Sequence, residues 1–130
     1  MSLSAKIVRG QIAMLQPLLR TLSLETIRKG QSKLGELMSV IHSSCVMIKI
    51  HKFSCFDGAW ILPKDKRRRG VILYLHGGGF ACGDLEYAKG FGSVLAEECG
   101  MPTFCIGYRL APENPFPAAL EDMLNWMILD

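Results

Sequence analysis

Apolar positions keep helical spacing over residues 1 to about 40 and switch to strand spacing after Cys45. In the first stretch Ile7, Ala13-Met14 and Leu18, then Leu24, Ile27, Leu34 and Leu37-Met38, recur at intervals that gather on one helix face. Pro17 and the stretch from Thr21 to Glu25 interrupt that period, which predicts two helices. Ser23, with Glu25 and Thr26 behind it, is the expected start of the second. From Val46 the period becomes two: Val46, Ile48 and Ile50 alternate with Met47, Lys49 and His51, as in a half-buried strand. Asp57-Gly58 is the expected hairpin turn, and residues 59–62 the returning strand.

Two continuous apolar runs follow, Val71 to Leu75 and Pro102 to Tyr108, each typical of a strand covered on both faces. Between them Asp84 is placed to cap a helix with an apolar face of Ala88, Phe91, Val94-Leu95 and Cys99, closed by Gly100. Strand, helix and strand joined this closely predict a right-handed crossover in a parallel sheet. A last helix starts near Pro117 and carries Ala119, Met123 and Trp126-Met127 on one side. It reaches Asp130 without a stop signal. The expected class is α/β: a helical segment over residues 1–42, then a β-hairpin and a strand-helix-strand-helix of mostly parallel sheet over 43–130. As a sheet it is incomplete, with the fourth strand as the expected open edge.

Length and composition narrow the class without changing it. A chain of 130 residues, 49% hydrophobic and 21% charged, builds one modest core and is not disordered. The net charge of +3 is mild, and its densest source, "KDKRRRG" from Lys64 to Gly70, reads as a solvated turn. No aromatic platform accompanies it, so a nucleic-acid partner is not expected. Gln11, Gln16 and Pro17 break the apolar core that an export signal needs after Lys6 and Arg9, and no apolar run approaches a membrane span. Five cysteines, an odd number set mostly in apolar segments, read as reduced packing residues of a cytoplasmic protein.

The candidate chemistry lies in "VILYLHGGGF", where a strand runs into His76, Gly77, Gly78 and Gly79. A phosphate-binding Walker loop needs Gly-Lys-Ser/Thr at its end, and none follows Gly79. A dinucleotide fingerprint read from Gly77 finds Cys82 where its third glycine belongs. Two readings remain: a plain tight strand-to-helix turn, or an oxyanion hole. The second needs successive backbone amides aimed at one spot with no side chain in the way of a substrate.

"HGGGFACG", His76 to Gly83, followed by "YRLAPENPFPAALED", Tyr108 to Asp122, resembles the hormone-sensitive-lipase-like family of α/β-hydrolases, which are carboxylesterases and lipases. The likeness is tight over residues 71–130, looser over 45–70 and architectural over the N-terminal helices. It implies the N-terminal portion of an α/β-hydrolase fold, with residues 1–42 as a helical cap segment and 43–130 as the first part of the hydrolase domain. It further implies that Gly78 and Gly79 supply oxyanion amides and Gly77 shapes the loop. His76 would brace that loop by hydrogen bonding and would not be the catalytic base. Tyr108, Arg109, Glu113 and Asp122 belong to the second motif, the last three as structural residues. Pro112, Pro115 and Pro117 would stiffen the loop after the fourth strand. Gly107, where relatives often carry a polar residue, departs from the pattern. The implied substrate is a small-molecule ester, and no cofactor is implied.

Such an enzyme also needs a serine on a Gly-x-Ser-x-Gly elbow, then an acid and a histidine. These 130 residues hold no such elbow: Ser93 in "GFGSV" has its glycines at the wrong offsets. His42, His51 and His76 are the only histidines. The expectation is therefore a truncated portion of an ester hydrolase, inactive alone, or a remnant that is non-catalytic or binds a partner. A nucleophilic Cys82 with His76 as base is disfavoured because the histidine ring should point into the loop. A zinc set of His42, Cys45, His51 and Cys55 is disfavoured because Cys45 and His51 would stand about 20 Å apart on one strand.

Overall fold

The computed structural model describes residues 9–10, 13–14, 16–17, 20–65 and 68–129. Ile7 and Leu18 of the first expected helix, and Lys66 and Arg67 of the basic turn, lie outside them. Residues 9–10, 13–14, 16–17 and 20–21 are helical, Pro17 among them. The break falls at Leu22-Ser23, where Ser23 turns extended and its hydroxyl accepts the Thr26 amide at 3.2 Å. Helix α1, Leu24–Ile41, starts from that cap.

Strands β1 (Val46–Lys52) and β2 (Asp57–Pro63) form the hairpin. Its turn is not Asp57-Gly58, which both lie within β2 opposite Lys52 and His51. The chain reverses at residues 53–56 instead, closed by the Phe53 amide on the Phe56 carbonyl at 2.9 Å and by their stacked rings. Gly58 is needed where it sits: a Cβ there would lie 2.4 Å from the tip of the Phe104 ring. Burial along β1 also fades, from buried Val46 to Ile50, which is 49% exposed.

Strand β3 (Ile72–Leu75), helix α2 (Leu85–Cys99) and strand β4 (Thr103–Gly107) form the expected parallel crossover, with β3 and β4 in register from Ile72–Thr103 to Leu75–Ile106. Asp84 caps α2 by accepting the Tyr87 amide at 2.8 Å, and Gly100 ends it in the left-handed conformation at φ 64°. The buried side of α2 is Ala88, Gly92, Ser93 and Ala96, whereas Phe91 is 42% exposed beside Tyr74. Small residues win this face because the helix lies close to the sheet. A Cβ on Gly92 would stand 2.4 Å from the Cys105 sulfur.

The sheet order is β1-β2-β4-β3. The fourth strand is therefore central, with Thr103, Phe104, Cys105 and Ile106 all buried, and the edges of the sheet fall on β1 and β3. The reason is topological: the crossover places β4 between β3 and the hairpin, where β2 pairs with it antiparallel. One face carries Val46, Ile61 and Cys105 under α2, with α1 laid outside α2. The other carries Phe56, Phe104, Ile106 and Tyr108 under helix α3 (Ala118–Leu129), whose Trp126 stacks on Phe104. No helix among the described residues is long and apolar enough to cross a membrane.

Candidate functional site

The loop from His76 to Asp84 leaves β3 and enters α2, so its backbone is fixed at both ends by regular structure. Inside it, the Gly78 carbonyl accepts the amides of Ala81 and Cys82 at 3.2 and 3.0 Å. That turn needs left-handed backbone at Gly79 (φ 62°) and at Phe80 (φ 59°), an uncommon conformation for a bulky residue. Gly78 is demanded twice, by φ 132° and because a Cβ would lie 2.2 Å from the Cys82 carbonyl oxygen. Space opposite Gly77 and Gly79 is open. Among the described residues, no hydrogen bond takes the amide of Gly78 or Gly79 as its donor.

His76 is buried beneath this turn and stacked on Tyr108, ring centres 4.2 Å apart. Its Nδ1 lies 3.0 Å from the Gly77 carbonyl, while the Tyr108 hydroxyl donates to the His76 carbonyl. Donation to Gly77 puts the proton on Nδ1, and burial holds the imidazole pKa below its ordinary value, so the ring stays neutral. Gly83, at φ 92°, admits the ring: a Cβ there would lie 2.2 Å from His76 Nδ1. Burial also pushes the Tyr108 hydroxyl up to about 12, so it acts as a hydrogen-bond donor and not as a base.

A cleft of about 320 Å³ opens over the loop, lined by Leu75, His76, the three glycines, Phe80, Tyr108 and Met123 of α3. It carries no charged side chain. A second, almost wholly apolar pocket of about 270 Å³ shares Phe80 and Met123 with it and extends to Phe116 and Leu120. Among the described residues α1 lines neither. It packs on α2 instead, and Gly35 lies against the Glu86 and Tyr87 backbone.

Residues 72–128 match the family described as the alpha/beta hydrolase fold. Ethyl acetate hydrolase of Pseudomonas putida is 42% identical over 61 residues, 45% of this chain and 19% of that protein. Mouse (Mus musculus) hormone-sensitive lipase is 43% identical over 56 residues, 43% of this chain and 7% of that one. A solved hormone-sensitive lipase from a metagenome library superposes with TM-score 0.68 at 28% identity, over 88% of this chain and 39% of its own. Over residues 72–128 the chain is similar to the hormone-sensitive-lipase-like α/β-hydrolases. The chain spans about a fifth of ethyl acetate hydrolase, 19% of its length.

Within this hydrolase segment the residues of the second motif surround the glycine loop. Asp122, fully buried on α3, accepts the Arg109 amide at 2.9 Å and pairs with its guanidinium at 2.8 Å. That pair ties the chain after β4 to the helix that walls the cleft. Gly107 has a packing reason, since a Cβ would lie 2.9 Å from Leu85 Cβ. Glu113 pairs with Arg28 of α1 at 2.7 Å. Arg28 was not singled out from the sequence, and one arginine on a helix face gives no local signal of a partner 85 residues away. His42, from the disfavoured zinc set, pairs with Glu97, and no group of three or more His, Cys, Asp or Glu among the described residues is gathered to hold a metal. Cys105 is buried, with its thiol pKa pushed up to about 12 by that burial, as suits packing.

Proposed function

We propose that this chain is the oxyanion-binding portion of a carboxylic-ester hydrolase of the esterase and lipase type, acting on small-molecule esters. Gly78 and Gly79 supply the amides, Gly77 leaves the approach open, and His76 braces the loop from below. Residues 1–42 form the helical segment that flanks the hydrolase domain begun at residue 43. The observation that carries this reading is the pair of amides with no acceptor, beside an uncharged cleft, in a turn that only glycine backbone can make at Gly78. Amides held in place before reaction stabilise the negative oxygen of a tetrahedral intermediate without reorganising when it forms. The serine, acid and base that would deliver the attack do not occur in an elbow arrangement within these 130 residues. The chain alone therefore performs no ester hydrolysis.

A second reading, a non-catalytic protein that binds a partner, draws on the open β3 edge and the exposed Leu124, Met127 and Ile128 of α3. One experiment separates the two. The stretch of Pseudomonas putida ethyl acetate hydrolase that matches this chain is replaced by the corresponding residues of this chain, and ester turnover is measured. An oxyanion-binding segment yields an active chimaera in which Gly78→Ala lowers kcat about 100-fold or more, with a smaller change in KM. A folded chimaera that is inactive, or one indifferent to Gly78→Ala, rejects the reading.

A further inference from the structure

We infer that Arg28 of α1 is a positioning residue for the glycine loop, so that the helical segment sets the direction of the Gly78 and Gly79 amides without touching the cleft. The inference rests on the reading of that loop as an oxyanion site. Four donor contacts carry it. Arg28 Nε donates to the Ala81 carbonyl at 2.7 Å and Nη2 to the Ala111 carbonyl at 2.8 Å. Nη1 and Nη2 grip the two Glu113 carboxylate oxygens at 2.7 and 3.0 Å.

The two carbonyls belong to the two motif loops, and those loops are already stitched together by the Ala111 amide on the Phe80 carbonyl at 2.8 Å. Ala81 in turn donates its amide to the Gly78 carbonyl. The guanidinium thus closes a ring through residues 28, 81, 80 and 111, and the Ala81–Cys82 peptide is held at both ends, its carbonyl by Arg28 and its Cys82 amide by the Gly78 carbonyl. Rotating that peptide would break the turn that fixes Gly78 and Gly79. A planar fork with several donors in fixed directions serves three acceptors at once, whereas a lysine ammonium is a point charge without that geometry. Glu113, bound on both oxygens, holds the fork in plane.

The test uses the 130-residue chain and needs no turnover, so it can fail while the oxyanion reading stands, and the reverse. Amide hydrogen exchange and proton–nitrogen spectra are recorded for wild type, Arg28→Lys and Arg28→Ala, the last with and without added methylguanidinium. In both variants the Ala111 and Ala81 amides exchange at least about tenfold faster, and the Gly78 and Gly79 resonances move or broaden. The β1–β2 hairpin amides keep their wild-type rates. Methylguanidinium returns the Gly78 and Gly79 resonances of Arg28→Ala toward wild type. Unchanged Ala111 and Ala81 exchange in both variants overturns the inference. Loss of the hairpin signals in Arg28→Lys overturns it too, because Arg28 would then serve general stability.

Discussion

Gly35 of α1 and Gly90 of α2 meet backbone to backbone: a Cβ on Gly90 would lie 2.6 Å from the Gly35 Cα. On the other side, a Cβ on Gly35 would lie 2.2 Å from the Glu86 carbonyl oxygen. This contact is what lets α1 lie against α2, and it is rigid, because backbone atoms cannot rotate away.

Helix propensity alone would favour alanine at Gly35 by about 1 kcal/mol. The clash outweighs it, since overpacking against fixed atoms typically costs about 1–3 kcal/mol and more where nothing yields. Gly35→Ala and Gly90→Ala are therefore expected to lower stability in urea melts. Gly30→Ala, with nothing within 4 Å of its Cβ, should raise it by about 0.5–1 kcal/mol. Equal effects at positions 30 and 35 would show that α1 does not dock this way.

The buried Asp122 carboxylate supports a second expectation. Asp122→Ala strips the Arg109 amide of its acceptor and leaves the guanidinium only Ala118 and Glu121, at about 2–4 kcal/mol, at the low side for a buried pair because the Arg109 side chain is 30% exposed. Asp122→Asn keeps one acceptor for the Arg109 amide and should lose less. Urea midpoints for the two variants give the order directly, and an order with asparagine worse than alanine would contradict this account.

What the sequence disclosed and what it hid divide by range. Caps at Ser23 and Asp84, the left-handed stop at Gly100 and the parallel β3–β4 pair are written in neighbouring residues, and the structure has them. Asp57-Gly58 misled because a turn dipeptide looks the same whether it bends the chain or clears room for an aromatic ring. Only the fold puts Phe104 above Gly58. Strand order, too, is a tertiary fact: two apolar runs cannot say which is central, and of the two it is β3 that lies at an edge. The Arg28 clamp joins partners 53 to 85 residues apart, beyond any local pattern. The glycine loop was legible as a motif, yet its need for glycine at Gly78 rests on the Cys82 carbonyl beside it.

Acid should loosen the Arg28–Glu113 link. The Glu113 carboxyl is held well below the usual range, at about 2, chiefly by the hydrogen bond from Arg28. A depressed carboxylate contributes stability in full above its unfolded pKa and loses it as pH falls through the folded one. The window therefore runs from about 4.5 down to about 2. Urea midpoints of wild type and Glu113→Gln should differ at pH 6, with wild type the more stable, and converge toward pH 2. Because the Glu113 side chain is 57% exposed, the gap should also shrink in high salt. A gap independent of pH would sink the idea.

The β3 edge predicts association of the isolated chain. Val71, just before that strand, is 54% exposed and Leu75 on it 41%, with Met127 at 65% and Ile128 at 79% on α3. An unpaired apolar edge is a template for another strand, and charge on it blunts pairing. Light scattering should show association that rises with concentration and falls in Leu75→Lys. A wild-type chain that stays monomeric throughout would remove the open edge as a docking feature.

The sharpest expectation concerns catalysis by the 130 residues themselves. An oxyanion hole lowers the barrier for an attack that another group must deliver. Ser93, in the stretch "GFGSV", is fully buried inside α2, and its hydroxyl donates to the Lys89 carbonyl at 2.8 Å, so it has neither access nor a base. Cys82 does not gain a base from His76: Nδ1 donates to the Gly77 carbonyl, and Nε2, the basic nitrogen, is buried with no hydrogen-bond partner among the described residues. The purified chain should therefore leave a short-chain p-nitrophenyl ester unhydrolysed above background and take up no serine-directed fluorophosphonate. Residual rates that intact hydrolases keep after losing their triad come from binding substrate against the hole. Here the cleft lining, Leu75, His76, the three glycines, Phe80, Tyr108 and Met123, holds no serine or cysteine to attack a bound ester. Stoichiometric labelling of one serine, with turnover that survives repurification and is abolished by replacing that serine, would show that the chain carries a nucleophile of its own.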